Sequence, residues 1–393
     1  MEIKTIEEQN YSGKKVFLRV DFNVPIENGR ITDDTRITAS LPTINYLLSQ
    51  GAILIISSHL GRPKGKVVPE MSLRPVAERL SELLNKEVKF VPDCVGDEVK
   101  KVVENLKKGD VLLLENLRFH KEEEEGNDEF AKQLASLADA YVNDAFAACH
   151  REHASIYQIT KYCKDTAAGF LIKKEVDALS KLLSNPEKPF LLIIGGAKVV
   201  DKIGMIKNLI DKVDTLITGG VMAYTFIKAK HWEIGSSKVD EEAIPLAKEI
   251  IKEVNKRHLE FHTPLDHIIV NKISPDAEVL ITERGTIPQG WIGVDIGPQA
   301  IEEYTDCVNR AKTIFWNGPM GIFEIDKFAK GTIEIAKAVA NSNAFSVIGG
   351  GDSIAAVNKA GVADKISHIS TGGGASLEFL EKGTLPGIDV LKK

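Results

Sequence analysis

SVIGGGDSIA (residues 346–355) runs from an apolar segment through three glycines into a stretch with helical periodicity. ISTGGGASLE (369–378) repeats the same order of residue types a short distance along the chain. A strand that passes through glycine directly into a helix is the βα unit from which parallel sheets are built. These two stretches therefore predict an α/β fold.

The same pattern recurs along the whole chain. Short runs rich in β-branched and apolar residues are separated by longer segments of helical periodicity. The runs lie at 15–24, 52–59, 88–91, 111–119 and 140–146 in the first half, and at 190–196, 215–220, 267–270, 313–318, 345–351 and 368–374 in the second. Both halves are therefore predicted to be α/β and Rossmann-like, each a parallel sheet flanked by helices.

The length of the chain predicts two domains, because 393 residues exceed the roughly 250–300 at which a single core stops growing. Residues 171–183 carry an apolar stripe with helical spacing, and Pro186 follows it. We predict an N-terminal domain at 1–170, a connecting helix and hinge at 171–186, and a C-terminal domain at 187–379. The same stripe also fits an internal helix of one large domain.

The composition argues against several classes of protein. A hydrophobic content of 43%, a charged content of 27% and a formal net charge of −6 are typical of a soluble protein and disfavour an electrostatic nucleic-acid binder. No run of about eighteen apolar residues indicates a membrane span, and the N-terminus lacks the apolar core of a secretion signal. Cys94, Cys149, Cys163 and Cys307 are widely spaced, so neither a disulfide framework nor a zinc site is predicted. We expect a cytoplasmic protein.

The residues that follow the strands differ between the two halves. Ligands of open α/β sheets bind beyond the carboxyl ends of the strands, so these residues are candidate ligand contacts. They are Asp21, Asn23, His59, Arg62, Arg118, His120, Asn143, Asp144, His150 and Arg151 in the first half, and Gly195, Gly196, Gly219, Gly220, Gly318, Gly349, Gly350, Gly351, Gly372, Gly373 and Gly374 in the second. The first half is predicted to bind a small polyanion, and the second a nucleotide.

Arginines of the first half form a candidate phosphate-binding cluster, because guanidinium groups bind phosphate or carboxylate through paired donors. The candidates are Arg36, Arg62, Arg118 and Arg151. Each arginine taken alone also fits a solvated surface.

The segment VDFNVP (20–25) alternates apolar and polar residues. In a strand, Arg19, Asp21 and Asn23 would share one face, where the polar pair could bind ligand hydroxyls. The alternative is a turn before Pro25.

In the second half, IIGGAKVVDKIG (193–204) predicts a strand, a glycine turn and a helix start. Lys198 and Lys202 are four residues apart and would share a helical face, where an anion would offset their repulsion. Exposed lysines at this spacing are also common.

Asp352, after the first glycine triplet, could hold Mg²⁺ directly or through water, and the free N–H groups of the triplets favour phosphate. The triplets also fit simple tight turns.

Two common nucleotide-binding fingerprints are missing. No G-x-x-x-x-G-K-[ST] motif occurs, and no GxGxxG follows the first strand. A dinucleotide dehydrogenase is therefore disfavoured.

Longer motifs recur along the chain in the order LRVDFNVP, SHLGRP, LENLRFH, NDAFAACHREHAS, GGAKVVDKI, GWIGVDIGP, WNGPMGIFE, GGGDS and STGGGASLE. Through these motifs the chain resembles the phosphoglycerate kinase family along essentially its whole length. The resemblance implies two α/β domains joined by a helix, with 3-phosphoglycerate or 1,3-bisphosphoglycerate on the N-terminal domain and Mg-ADP or Mg-ATP on the C-terminal one. It also implies a monomeric glycolytic kinase of the cytoplasm, whose C-terminal tail at 380–393 packs back on the N-terminal domain.

The resemblance also implies site residues. The 3-phosphoglycerate site would comprise Asp21, Asn23, Arg36, His59, Arg62, Arg118, His150 and Arg151. The nucleotide site would comprise Lys202, Gly293, Glu324, Gly350, Gly351, Asp352 and Ser353, with Asp352 as the Mg²⁺ ligand. The catalytic groups would be Arg36, Lys198 and Gly373. The chain reads AFAACHR (145–151) where the family usually has AFGTAHR, so only the local loop shape is expected to differ.

The chemistry so implied needs no general base, because the carboxylate of 3-phosphoglycerate is already ionised near neutral pH. It needs in-line positioning and cationic support for the transferring phosphoryl group. Domain closure would exclude water from the reaction. Another small-molecule carboxylate kinase is the alternative function.

Overall fold

A computed structural model describes residues 1–393. The chain forms two compact units. The first comprises Met1–Asp177 and Thr384–Lys393, and the second comprises Ala178–Gly383.

The first unit is built on a parallel sheet. Its strands are β1 (Lys15–Arg19), β2 (Ile26–Glu27), β3 (Arg30–Ile31), β4 (Ile53–Ser57), β5 (Val88–Val91), β6 (Val111–Leu114), β7 (Ala140–Asn143) and β8 (Asp165–Ala168). Six of them form the sheet in the order β5-β6-β4-β1-β7-β8, and β2 pairs with β3 in a hairpin. Every residue of β4, β6 and β7 is buried, which explains why these strands appear in the sequence as continuous apolar runs.

Helices cover both faces of this sheet. They are α1 (Thr35–Ser49), α2 (Arg74–Leu84), α3 (Asp97–Glu104), α4 (Lys121–Glu124) and α5 (Asp128–Ala135), and α6 (Phe170–Ser184) leads into the second unit. Successive residues of a strand point to opposite faces. Leu18 of β1 accordingly packs in one apolar cluster with Ile44 of α1, whereas Phe17 packs in another with Phe130 of α5.

The second unit contains two sheets. Its strands are β9 (Phe190–Ile194), β10 (Thr215–Thr218), β11 (Glu260–His262), β12 (His267–Val270), β13 (Val279–Ile281), β14 (Ile292–Ile296), β15 (Thr313–Asn317), β16 (Phe345–Gly349) and β17 (His368–Ser370). A six-stranded parallel sheet has the order β11-β10-β9-β15-β16-β17, and a smaller antiparallel sheet has the order β13-β12-β14. The helices are α7 (Val200–Leu209), α8 (Gly220–Ala229), α9 (Ile244–Arg257), α10 (Pro298–Arg310), α11 (Lys330–Asn341), α12 (Gly351–Lys359) and α13 (Gly374–Lys382).

The C-terminal segment returns to the first unit and ends with α14 (Pro386–Asp389). Leu385, Ile388 and Leu391 are fully buried there. The backbone N–H of Lys4 donates to the carbonyl of Leu391 at 2.8 Å, and that of Gly387 donates to the carbonyl of Cys149 at 2.9 Å. Both apolar packing and backbone hydrogen bonds therefore anchor this segment.

The predicted α/β class with two parallel sheets is confirmed, but several predicted elements differ. The first strand ends at Arg19 rather than at residue 24, because Asp21 Oδ1 accepts a hydrogen bond from the backbone N–H of Asn23 at 3.0 Å and the chain turns. The prediction that Asp21 and Asn23 share one face of a strand was therefore wrong. The 267–270 run is a strand, but it lies in the antiparallel sheet.

The helix between the two halves spans Phe170–Ser184, where 171–186 was predicted to hold the connecting helix and hinge. It ends before Asn185 because a residue that precedes proline disfavours the α conformation. Six further strands, β2, β3, β8, β11, β13 and β14, were not predicted.

Candidate active site

The loop after β1 is fixed to its neighbours by Asp21 and Asn23. Asp21 Oδ2 accepts a hydrogen bond from Nη1 of Arg36, in the first turn of α1, at 2.5 Å. Asn23 Oδ1 accepts one from the backbone N–H of Gly61, in the loop after β4, at 2.9 Å. Predicted residues from two loops and a helix therefore lie together at the carboxyl edge of the first sheet.

His59 follows β4 and is buried. Its Nδ1 lies 3.2 Å from Nη2 of the buried Arg19. Because a guanidinium only donates, Nδ1 must accept, and the proton of the neutral ring is then on Nε2. Burial first, and then the charges of Arg19 and Arg118, hold the pKa of His59 well below its ordinary value. His59 is thus a neutral N–H donor near pH 7.

Positive charge is concentrated near Arg118. Its Nη1 donates to the carbonyl of Gly61 at 2.9 Å. Burial lowers the pKa of Arg118, Glu124 opposes this effect, and the guanidinium groups of Arg19 and Arg151 lower the pKa further. Guanidinium groups held close enough to repel one another create a site that an anion would stabilise.

Arg62 and Arg151 are exposed, and neither guanidinium forms a hydrogen bond or ion pair with the protein. Their donors are therefore available to a ligand. His150, which precedes Arg151, is partly buried at the end of a short 3₁₀ turn.

Three other side chains that follow strands of the first sheet have structural partners instead. Asp144 is fully buried, and its Oδ1 accepts the backbone N–H groups of Leu171 at 2.9 Å and Ile172 at 3.3 Å, at the start of α6. Burial raises the pKa of Asp144 to about 7. Asn143 is also fully buried, and His120 Nε2 lies 2.7 Å from Asp93 Oδ1. These three residues do not face a ligand site.

The second unit has a cavity of about 450 Å³ at the carboxyl edge of its parallel sheet. Its lining residues are Gly196, Ala197, Lys198, Asp201, Lys202, Asn317, Gly318, Gly350, Gly351, Asp352, Ser353, Gly373, Gly374 and Leu377. Residues of both glycine triplets therefore line the same cavity, and α12 and α13 both begin at it.

Glycine is required here for two different reasons. Gly350 has φ 92°, and a Cβ there would lie 2.9 Å from Nδ2 of Asn317, so a side chain would press into the floor of the cavity. Gly373 has φ 55° and ψ −119°, a conformation that L side chains avoid, yet a Cβ there would meet no atom within 4 Å. A side chain at Gly350 is thus disfavoured by both packing and backbone conformation. A side chain at Gly373 is disfavoured by backbone conformation alone.

Lys198 and Lys202 do not share a helical face, which corrects the prediction from their spacing. Lys198 lies before α7 and is exposed at the cavity, whereas Lys202 is within the helix and buried. Lys202 Nζ donates to the carbonyl of Gly195 at 2.5 Å. Burial lowers the pKa of Lys202 to about 8, although the charge of Asp352 acts in the opposite direction.

Asp352 and Ser353 have different environments at the start of α12. Asp352 is exposed at the cavity, and its carboxylate forms no hydrogen bond or ion pair with the protein. Ser353 is fully buried, and its Oγ accepts the backbone N–H of Gly318 at 2.6 Å. A carboxylate with free oxygens beside a glycine-lined cavity fits a divalent cation, whereas Ser353 holds two loops together.

A second cavity of about 330 Å³ adjoins the first and shares Gly196, Ala197 and Asp352 with it. Its other lining residues are Gly220, Val221, Tyr224, Lys238, Ile273, Ile292, Gly293, Val294, Pro319, Gly321, Ile322 and Glu324. A Cβ at Gly293 would lie 2.4 Å from the Tyr224 hydroxyl, so only glycine keeps this wall flat. Mostly apolar walls with two exposed carboxylates, Glu324 and the shared Asp352, suit a planar base and a ribose.

Sequence reasoning missed three residues that build these sites: Arg19, Tyr224 and Asn317. Arg19 orients His59, Tyr224 forms a wall of the second cavity, and Asn317 Nδ2 donates to the carbonyl of Gly349 at 2.9 Å. Each lies inside or next to an apolar run, and the residue that it contacts at the site is distant in sequence.

Comparisons with known proteins agree with this geometry. The family model for phosphoglycerate kinase matches residues 6–383. The phosphoglycerate kinase of Clostridium botulinum strain Hall is 53% identical over 390 residues, which cover 99% of this chain and 98% of that protein. The phosphoglycerate kinase of Leptospira biflexa is 53% identical over 391 residues, covering 100% of this chain and 98% of that protein.

Solved structures give the same result. The phosphoglycerate kinase structure from Coxiella burnetii has a TM-score of 0.92 at 42% identity, and that from Pyrococcus horikoshii has a TM-score of 0.85 at 35% identity. Each comparison covers 99% of this chain and 98% of the other. No helix in the structure has both the length and the apolar character needed to span a membrane. The chain belongs to the phosphoglycerate kinase family, whose members are phosphotransferases with a carboxyl group as acceptor.

Proposed function

We propose that this protein transfers a phosphoryl group reversibly between 1,3-bisphosphoglycerate and ADP, giving 3-phosphoglycerate and ATP. The observation that carries the proposal is the cavity onto which both glycine triplets, Lys198 and Asp352 open. Family membership supports the same reaction. We also propose a monomeric protein of the cytoplasm, as the family resemblance implies, and sedimentation velocity tests the monomer.

The first unit would bind the phosphoglycerate. Its concentrated guanidinium charge suits the substrate phosphate, the neutral His59 supplies an N–H donor, and the Asp21 carboxylate can accept a substrate hydroxyl. The proposed contacts are Asp21, Asn23, Arg36, His59, Arg62, Arg118, His150 and Arg151.

The second unit would bind the nucleotide. The apolar cavity would take the base, with Glu324 toward the ribose, and the N-terminus of α12 would take the phosphates. The proposed contacts are Lys202, Gly293, Glu324, Gly350, Gly351, Asp352 and Ser353, the last through its backbone N–H because its hydroxyl is buried. Mg²⁺ bound with the nucleotide would be held by Asp352, and it would neutralise charge on the phosphate oxygens.

In the transfer step, a carboxylate oxygen of 3-phosphoglycerate forms a bond to the γ-phosphorus while the bond to the ADP oxygen breaks. Lys198, Arg36 and the backbone at Gly373 would stabilise the phosphoryl oxygens. No residue needs to remove a proton, because the acceptor is already a carboxylate. Since donor and acceptor are assigned to different units, transfer requires a closed state that brings them together.

A coupled assay with 3-phosphoglycerate and Mg-ATP tests the proposal. We expect turnover with 3-phosphoglycerate and little with glycerate or acetate, which lack the phosphate that the arginines would bind. Asp352→Asn should lower kcat by roughly 10²–10³-fold. Faster turnover of a carboxylate without phosphate would instead support a different carboxylate kinase.

A further inference from the structure

Four side chains that can bind metals meet at the edge of the second unit's parallel sheet, outside both cavities described above. Glu260 and His262 are two apart on β11, so they lie on one face of the strand. Glu303 and Cys307 are four apart on α10, so they lie on one face of the helix. The fold therefore brings two carboxylates, an imidazole and a thiol together from two elements.

The donor atoms are close enough to share one ion. His262 Nε2 is 2.9 Å from Glu260 Oε1, and Cys307 Sγ is 4.0 Å from the same oxygen. The ligand atoms of Glu260, His262 and Cys307 all lie within 4.8 Å of one another. Zinc bonds of about 2.0–2.3 Å in a tetrahedron separate ligand atoms by about 3.3–3.8 Å, so small side-chain rotations would suffice.

The groups around these donors hold them in place. Glu303 Oε1 lies 2.8 Å from His262 Nδ1, the nitrogen that faces away from Glu260. Thr215 Oγ1 donates to Glu260 Oε2 at 3.0 Å. Glu303 Oε2 is buried without a hydrogen-bond partner, which is unusual for a carboxylate oxygen. A metal-bound histidine whose other nitrogen donates to a carboxylate is the usual outer-shell arrangement.

Without a metal ion, Arg310 supplies the positive charge beside Glu260 and Cys307. Its Nη2 lies 2.8 Å from Glu260 Oε1 and 3.5 Å from Cys307 Sγ. The Arg310 side chain is 59% exposed, so it can move into solvent at small energetic cost. A cavity of about 360 Å³, lined in part by Glu260, Cys307 and Arg310, gives an ion and a bound water access to the donors.

We propose that Glu260, His262 and Cys307 bind Zn²⁺, with Glu303 orienting the imidazole and Arg310 displaced. Nε2 of His262 donates to Glu260 before the ion binds, so it would release its proton to solvent and bind the ion while Nδ1–H donates to Glu303. The Cys307 thiol would also release its proton to solvent, and water would complete a tetrahedron. Thiolate and imidazole select Zn²⁺ over the Mg²⁺ of the proposed reaction. The ion would join β11 to α10 and stabilise the second unit independently of catalysis.

A second group of possible ligands, Asp93, Cys94 and His120, lies in the first unit. There Asp93 Oδ1 is already bonded by His120 Nε2 and by the backbone N–H of Cys94, each at 2.7 Å, and no carboxylate holds the other ring nitrogen. This group therefore provides the matched control, because its cysteine can be changed in the same way.

Zn²⁺ binding can be measured on the metal-free full chain by competition with a chromophoric chelator. Co²⁺ substitution adds a thiolate-to-cobalt charge-transfer band that reports a cysteine ligand directly. We expect one Zn²⁺ per chain, a charge-transfer band in the wild-type protein, and no displacement by millimolar-range Mg²⁺. The absence of stoichiometric binding, or of the band, would overturn the proposal even without variants.

The variants locate the site. Cys307→Ser should abolish the band and weaken Zn²⁺ binding at least about tenfold, and Glu303→Gln should weaken it about 10–100-fold while the band persists. Cys94→Ser should change neither measurement, and Arg310→Ala should keep or raise the affinity. Loss of the band in Cys94→Ser with retention in Cys307→Ser would contradict the assignment. Kinase turnover verifies that each variant is folded.

Discussion

Lys198 and Lys202 are four residues apart, yet their surroundings give them different roles. Lys198 is exposed at the cavity of about 450 Å³ in the second unit and is bonded to no protein group. Lys198→Ala should therefore lower kcat by about 10²–10³-fold while ADP affinity changes little. Steady-state kinetics and calorimetric ADP titration separate the two effects. A large loss of affinity with kcat retained would contradict its role in the transition state.

Lys202 predicts a pH dependence of nucleotide binding. Burial lowers its pKa to about 8, so the free protein carries this charge below pH 8 and loses it above. Anion binding favours the charged form, and ADP affinity should therefore fall as pH rises from about 7 to about 9.5, where the phosphates stay ionised.

Calorimetric titration of ADP across this pH range tests the effect. The matched variant Lys202→Met carries no titrating group at this position, and its weaker binding should be nearly independent of pH. If the ADP affinity of Lys202→Met fell with pH as steeply as that of the wild-type protein, the titrating group would be a residue other than Lys202.

Arg62 tests which unit binds the phosphoglycerate. Its guanidinium is exposed and has no protein partner, so Arg62→Ala should remove ligand contacts without disturbing the fold. A charged hydrogen bond contributes about 1.5–3 kcal/mol, which corresponds to a rise of about 10–150-fold in the KM for 3-phosphoglycerate. The KM for ATP should change much less, and the opposite result would reverse the proposed assignment of ligands to units.

For single residues, the sequence identifies candidate site residues but not the groups that they contact in the folded protein. Asp144 and Arg118 both closely follow strands, yet Asp144 caps α6 while Arg118 contributes to a field of positive charge. Ser353 lies beside Asp352 but is turned into the protein. The difference depends on residues distant in sequence, and strand-end patterns carry no information about them.

Helix α12 and the loop before it give a prediction at the scale of an element. At Gly350, φ is 92° and a Cβ would lie 2.9 Å from Asn317 Nδ2. Gly350→Ala should cost about 1–3 kcal/mol and also weaken ADP binding, because the N-terminus of α12, the proposed phosphate site, would shift. Chemical denaturation and ADP titration measure the two effects.

The matched control lies at the other end of the same helix. Gly361 also has positive φ, 69°, but a Cβ there would meet no atom within 4 Å. Gly361→Ala should therefore destabilise the fold by about 1 kcal/mol and leave ADP affinity unchanged. Equal losses of affinity in both variants would show that general strain, rather than the position of α12, controls binding.

Element type was predicted better than element position. Fully buried parallel strands such as β4 and β9 give long apolar runs, which the sequence reveals. β11 and β13 are short and partly exposed, so they lack that signal. The run at 267–270 looked like the others, but its antiparallel pairing is set by β13 and β14, which lie outside the run itself.

At the scale of the whole molecule, the first unit is completed by the last ten residues of the chain, Thr384–Lys393. Leu385, Ile388 and Leu391 are fully buried there. Burial of each contributes about 1.5–3 kcal/mol, so their combined contribution approaches the 5–15 kcal/mol that typically stabilises a domain. Deletion of residues 384–393 should therefore unfold or severely destabilise the first unit and leave the second folded.

Spectroscopy can follow the two units separately, because Trp232, Trp291 and Trp316 are the only tryptophans and all lie in the second unit. In the truncated chain, tryptophan fluorescence should keep its cooperative urea transition and its response to ADP, while far-ultraviolet circular dichroism loses amplitude and 3-phosphoglycerate binding disappears. Lys393→Ala removes only an exposed ion pair with Glu8, so it should leave the urea transition of the first unit nearly unchanged. If both probes lost their transition together in the truncated chain, the second unit would depend on the first for its stability.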